Sequence, residues 1–287
     1  MAKIKLVVDT GADLPKDLEK RYKIDNIHFM TIFGETAYEA DVDINNEEFY
    51  QKLSESDQIP TTSQTPYQTM YDTLLTLCKE NDTVIYFVLS SKASGQYNTA
   101  RMVREEILEE YPKADLRLVD SMSFSVYISS MAIYAAKLIE AGETDVDLIL
   151  KKCEEYQASW RAYILVDTLK YLEKGGRITK TSAILGTVLD IKPVLTVRNG
   201  LVEPYEKLRG KKKIFQKLFA LICENPQFDA EHPAFMVVHS DRERGEEMAA
   251  ALREEFGVEE LELFSEFGPI VGTHIGPGAL AVLCKLK

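Results

Sequence analysis

Thr83-Val84-Ile85-Tyr86-Phe87-Val88-Leu89 running into Ser90-Ser91-Lys92-Ala93-Ser94-Gly95-Gln96-Tyr97-Asn98 is the stretch that decides the fold. From Val84 onward its first part is β-branched, aromatic or aliphatic, with no polar alternation. That pattern belongs to a strand buried on both faces. A hydroxyl-rich turn follows, and a helix reads from Asn98 to Tyr111. Four more runs end in the same way. Leu6-Val7-Val8 meets Asp9-Thr10, and Leu116 to Val119 meets Asp120-Ser121. Ile164-Leu165-Val166 meets Asp167-Thr168, and Phe235 to Val238 meets His239-Ser240. In open α/β sheets, ligands bind beyond the carboxyl ends of the strands. A crevice lined by small hydroxyls suits an oxyanion better than it suits bond breaking.

Strand and helix alternate through the first half. Strand Ile4 to Val8 feeds a loop with Asp13 and Pro15, then a helix to Tyr22 that Asp13 is placed to cap. Ile27 to Phe33 reads as a strand, Asp41 to Leu53 as a short helix, and Pro60 to Pro66 as a polar loop. A helix follows to Lys79, and Leu116 to Val119 is a further strand. Phe124 to Ala141 is apolar nearly all round, which predicts a buried helix. Such alternation implies a mostly parallel sheet covered on both faces. The second half differs: Leu195 to Glu203 carries an Asn199-Gly200 hairpin turn. Helices read near Lys213 to Cys223 and Arg244 to Phe256, with strands at Leu261 to Phe264 and Ala279 to Leu283. The expected fold class is α/β in two domains. Residues 1–155 are built on a mostly parallel sheet, and residues 156–287 on a mixed sheet with the hairpin.

A chain of 287 residues favours two domains over one. Its 45% hydrophobic and 28% charged content is that of a soluble globular protein. A net charge of -12 disfavours nucleic acid as a partner. Cys78, Cys153, Cys223 and Cys284 are widely spaced and read as reduced, buried small hydrophobes. The chain opens straight into a strand, and its longest uncharged stretch, Ser121 to Ala136, is too short to span a bilayer. A cytoplasmic location is the expectation. From Lys170 to Lys213, 11 Lys or Arg stand against 4 Asp or Glu. This window is either a solvated face or a basic surface for a phosphate, an anionic membrane or an acidic partner.

Ser94 reads as a helix N-cap, with Gly95 allowing close approach to the free amides of the first turn. Thr61-Thr62-Ser63-Gln64 gives a second hydroxyl cluster before a helix, where Thr62 or Ser63 is again a cap by itself. Together, hydroxyls from both segments suit one carboxylate. The nucleotide-loop spacings are missing from both. His274 sits among glycines outside any zinc-ligand spacing, and no G-x-S-x-G elbow occurs. Asp41-Val42-Asp43 starts like a calcium loop, but Asn46 and Lys52 occupy the positions needing glycine and glutamate. Gly175 or Gly176 ends a helix whose Lys174 favours the dipole, leaving Arg177 for a carboxylate or phosphate.

Taken in order, several segments resemble the DegV family. They are Val8-Asp9-Thr10-Gly11-Ala12-Asp13-Leu14, Pro60-Thr61-Thr62-Ser63-Gln64, and Ser90 to Ala100. Val119-Asp120-Ser121, Leu172 to Ile178, Ile191-Lys192-Pro193-Val194-Leu195 and His274 to Ala279 complete the set. They span essentially the whole chain. The resemblance implies two domains with a long-chain fatty acid between them and no cofactor. It implies the binding subunit of a bacterial fatty acid kinase, which presents the acyl carboxylate to a separate ATP-using kinase subunit and carries the acyl phosphate. Mapped onto this chain, Thr62 and Ser94 hold the carboxylate, with Ser63, Gly95 and His274 nearby. The helix bearing Phe124, Tyr127, Ile128 and Met131 walls the acyl tunnel, as an apolar chain requires. Arg177, Lys192 and Arg209, in the basic window, face the kinase subunit, a phosphate or a transiently touched membrane surface. Tyr127 and Ser129 stand where the family usually has small residues, which implies an altered chain-length or unsaturation preference.

Two other classes compete with a carrier. One is a lipid acyl- or phosphoryl-transfer enzyme using His274 with Ser94 or Thr62. The other is a lipid-sensing regulator that docks a protein through the basic window.

Overall fold

Every residue of the strand Thr83–Val88 is buried, and its side chains divide between two cores. Ile85 and Phe87 enter one core, while Val84, Tyr86 and Val88 enter another. This is the period of two expected where successive side chains point to opposite faces. The structure, a computed structural model, describes residues 3–179, 191–209 and 213–287.

The first half contains β1 (Ile4–Asp9), α1 (Lys16–Tyr22), β2 (Asp25–Ile27), β3 (Met30–Phe33), β4 (Thr36–Glu39) and α2 (Asn46–Glu55). It continues with β5 (Thr61–Ser63), α3 (Tyr67–Glu80), β6 (Thr83–Val88), α4 (Gln96–Glu110), β7 (Leu116–Asp120) and α5 (Val126–Glu140). After α6 (Val146–Ala158) come β8 (Trp160–Leu165), α7 (Lys170–Gly175), β9 (Ile191–Arg198) and β10 (Leu201–Arg209). The chain closes with α8 (Ile214–Cys223), β11 (Phe235–His239), α9 (Arg242–Phe256), β12 (Leu263–Glu266), α10 (Pro269–Ile275) and β13 (Leu280–Lys285).

A four-stranded parallel sheet has the order β2-β1-β6-β7. A six-stranded mixed sheet has the order β10-β9-β8-β13-β11-β12, in which only β11 and β12 run parallel. A small antiparallel sheet, β4-β3-β5, packs on α10. The α/β class with one parallel and one mixed sheet is therefore as expected. The first sheet ends at Asp120 and the second begins at Trp160, so the division expected after residue 155 falls within α6.

The two large sheets share a central core. Leu6 and Val8 of β1 reach it from one side. Ala162 and Ile164 of β8, Met236 and Val238 of β11, and Ala281 and Leu283 of β13 reach it from the other. Between them lies α5, buried from Val126 to Met131 and again at Ala132, Ile133, Ala135 and Ala136. The opposite faces of the sheets pack outward, β1 and β6 under α3 and α4, and the mixed sheet under α8 and α9. A helix apolar all round is stable only when surrounded, and the sheets supply both walls.

Several details depart from the sequence reading. The run Ile27 to Phe33 is two strands in different sheets, broken where Phe29 N donates to Thr10 Oγ1 and Phe29 O accepts from Ala40 N. The polar loop Pro60 to Pro66 contains β5, which pairs antiparallel with β3. Asp13 does not cap α1; it is buried at φ 49° and bonds elsewhere. Cys223 is exposed, because it ends α8 on the outer side, while Cys78, Cys153 and Cys284 are buried. The segment Pro269–Ile275 is helical despite its glycine, since Gly272 lets Phe49 approach: a Cβ there would stand 2.7 Å from the ring. The hairpin extends beyond Leu195 to Glu203, with a register shift between Pro204 and Glu206 on the edge strand, where a missing proline N–H is tolerated. Its turn residues Asn199 and Gly200 both have positive φ, 51° and 79°, as a tight two-residue turn requires. Among the described residues, no helix is long and apolar enough to cross a membrane.

Candidate functional site

The central layer is not filled completely. At the amino end of α5, beside the mixed sheet and α10, lies a cavity with about 790 Å³ of non-atom space, its opening included. Core-facing residues of the mixed sheet make one wall, among them Ile164, Val197, Val238 and Leu283. Phe29, Leu89, Phe267 and Ile270 add to it from loops and α10. These apolar positions were not singled out from sequence. Each belongs to a recognisable apolar run, but only the packing of the mixed sheet against α5, α10 and the loops shows which member borders the gap.

The polar lining is Thr62, Ser94, Ser125, Arg177 and His274. Thr62 projects from β5. Its Oγ1 lies 2.9 Å from His274 Nε2 in the last turn of α10. His274 Nδ1 is buried without a partner among the described residues, and a Cβ on Gly175 would collide with it. Burial, aided by the Arg177 guanidinium, lowers the imidazole from 6.5 to about 4, so the ring is neutral at ordinary pH. Arg177 Nε donates to Ala93 O at 3.1 Å, and a second guanidinium nitrogen donates to Gly175 O. Ser94 Oγ accepts from Gln96 N at 3.2 Å, while Gly95 is the residue preceding α4. The hydroxyl of Ser94 therefore folds back on the first turn and keeps its proton for another acceptor.

The amino ends of α5 and α10 are tied together from behind. Asp13 accepts from Ser125 Oγ, just before α5, and from Gly268 N at 2.9 Å, just before α10. Ser265 Oγ donates to the Asp13 carbonyl at 2.6 Å. Burial raises the Asp13 carboxyl from 3.8 to about 8, against the opposing hydrogen bonds and with help from Asp41 and Glu266. Sequence reading missed this role; the only signal was an acidic residue two positions before a proline.

The structure brings Thr62, Ser94, His274, Arg177, Phe124 and Tyr127 to one cavity. Ser63 is exposed on β5 outside the lining, and Gly95 is close to Gln64: a Cβ there would stand 2.7 Å from Gln64 Oε1. Ile128 and Met131 are buried in the central core and do not border the cavity. Lys192 Nζ pairs with Asp167 at 2.7 Å, and Arg209 is exposed at the end of β10. Of the basic window, residues 180–190 and 210–212 lie outside the described residues. Among the described residues, no group of three or more His, Cys, Asp or Glu is arranged to hold a metal ion.

The fold and site define an α/β protein with a largely apolar cavity against its mixed sheet and Thr62, Ser94, Arg177 and His274 on the lining. The chain belongs to the DegV family: the family model, described as "Uncharacterised protein, DegV family", matches residues 3–286. Protein DegV of Bacillus subtilis is 32% identical over 289 residues, covering 99% of each chain. A protein of Thermotoga maritima named "Fatty acid-binding protein" is 32% identical, over 97% of this chain and 96% of its own. The solved structure of a stearic acid-binding protein from Eubacterium ventriosum superposes with a TM-score of 0.88 at 25% identity, over 100% of this chain and 99% of that one.

Proposed function

We propose that this protein is a fatty acid carrier, with the acyl tail in the cavity beside the mixed sheet and the carboxylate at Thr62, Ser94, His274 and Arg177. The observation that carries the reading is a polar cluster on a mostly apolar lining: Thr62 meets His274, and Arg177 reaches Ala93 beside Ser94. A buried carboxylate needs charge-assisted donors, and a methylene chain gains about 0.8 kcal/mol for each CH₂ buried. With His274 donating from Nε2 to Thr62, the threonine proton is free to join that of Ser94 in binding the carboxylate. Arg177 adds positive charge at the same end. The names of the Thermotoga and Eubacterium relatives support the same ligand class.

The Thr62–His274 pair has the spacing of a nucleophile and its base. The environment argues against that use. An imidazole held at about 4 is a weak base at ordinary pH, and no partner among the described residues orients its Nδ1. The carrier reading also includes presentation of the carboxylate to a separate ATP-using kinase subunit. Exposed Arg209 on β10 and Lys192 on the neighbouring β9 belong to the face proposed for that partner or for transient membrane contact.

Mass spectrometry of an organic extract from the purified protein tests the ligand. A near-stoichiometric long-chain fatty acid is expected. An empty extract, still empty after incubation with a fatty acid mixture, overturns the reading. Thr62→Ala combined with Ser94→Ala is expected to abolish binding of the acid while the folded circular dichroism spectrum persists. Retained affinity would remove the carboxylate assignment. Arg209→Glu is expected to slow kinase-dependent acyl phosphate formation severalfold without weakening fatty acid binding; an unchanged rate takes Arg209 out of the partner face.

A further inference from the structure

The two hydroxyls of the proposed carboxylate site come from segments far apart in sequence, and they must be held at one separation to share a ligand. Behind them lies a polar chain that the site does not itself use. Gln96, the first residue of α4, is completely buried. Its Oε1 accepts from Thr65 N at 3.1 Å, while its Nε2 donates to Thr65 Oγ1 at 3.0 Å and to Tyr86 Oη at 3.0 Å. The orientation of the amide is fixed chemically, since only its oxygen can accept from a backbone N–H. Thr65 Oγ1 donates onward to His28 O at 2.7 Å, and Tyr86 Oη is directed to Asp9 Oδ2 at 3.5 Å. Each donor therefore has a definite direction, and both protons of the Gln96 amide are used.

Two bonds from one side chain to one residue fix angle as well as distance. Thr65 lies three positions after Thr62, and Gln96 two positions after Ser94. One residue earlier on each segment, the Gln64 side chain reaches over Gly95, where a Cβ would stand 2.7 Å from its Oε1. The segments thus touch at two successive points immediately behind the hydroxyls. We infer that Gln96, through its paired bonds to Thr65, is a positioning residue that sets the separation of Thr62 and Ser94. This inference rests on the carrier reading and adds the element that fits the head-group site to a carboxylate. Loss of the clamp leaves buried donors unpaired and lets the two segments drift, which removes head-group affinity but not tail affinity.

The test measures dissociation constants for stearic acid and for methyl stearate, which presents the same tail without the anionic head. In Gln96→Met, which keeps volume and removes all three bonds, affinity for the acid is expected to fall roughly tenfold or more, with that for the ester within about twofold of wild type. Thr65→Ser, which keeps the hydroxyl, is expected to bind both as wild type does. A folded Gln96→Met with wild-type affinity for the acid overturns the clamp, as does an equal loss for acid and ester, which marks a merely structural residue. If Gln96→Met does not fold, Thr65→Val decides the matter: a selective loss for the acid supports the clamp, and unchanged affinity overturns it. A wild-type protein that does not bind stearic acid removes the carrier reading itself, and the clamp's role with it. Wild-type binding with unaffected variants removes the clamp alone.

Discussion

At the scale of single residues, this protein uses burial to set protonation. Asp13 is held between Ser125 and Gly268, where burial raises its carboxyl to about 8. Asp9, held by Leu89 N at 2.9 Å and Gly11 N at 3.1 Å, is raised to about 7 for the same reason. The sign follows from proton counting. Between 3.8 and about 8, the folded form keeps a proton on Asp13 that the unfolded chain has released. Its contribution to stability is full below the lower value and lost as pH climbs through the upper one. His274 acts oppositely, because its lowered value makes the folded form resist a proton that the unfolded chain accepts between 6.5 and about 4. Asp13→Asn keeps an acceptor but cannot ionise. Its melting temperature is expected to fall less than that of wild type as pH rises from 3.8 to about 8. Parallel pH profiles for the two proteins would remove Asp13 from this pH response. Neither shift was legible in the sequence. Asp13 looked like a helix cap, and its burial depends on Gly268, 255 residues away.

At the scale of elements, α5 has two different jobs on successive residues. Tyr127 borders the cavity and its hydroxyl donates to the Trp160 carbonyl at 3.3 Å. Ile128, one residue on, is wholly buried in the central core away from the cavity. Successive residues on a helix are separated by about a quarter turn, which accounts for the division. Tyr127→Gly is expected to lengthen the bound acyl chains in an extracted lipid profile. Ile128→Ala is expected to cost about 2–5 kcal/mol of stability and to leave that profile unchanged. An unchanged profile in Tyr127→Gly would release Tyr127 from chain selection. A changed profile in Ile128→Ala would show that core and cavity are not separable along the helix. The sequence already marked α5 as buried, because its apolar character runs all round. It could not divide the helix into core and cavity faces, since both are apolar.

At the scale of the whole molecule, the middle layer belongs to neither half alone. Strands from both sheets and the helix between them form one core. Removing either half would expose the apolar face of the other, a loss that neither sheet can absorb. Calorimetry is expected to show one unfolding transition, raised by added fatty acid in proportion to the logarithm of its concentration above the dissociation constant. Two separated transitions would show that the halves fold independently. The sequence by itself determined the buried strands, the alternation of the first half, the hairpin and the two hydroxyl segments. Those features are local, since side-chain periodicity and turn chemistry act over a few residues. Tertiary structure decided that β5 is a strand, that His274 meets Thr62 and that Asp13 bridges two helix starts. It also decided which apolar residues line a space and which fill it. Those outcomes depend on contacts between residues as much as 255 positions apart, and a local pattern holds no record of which distant surface will close over it.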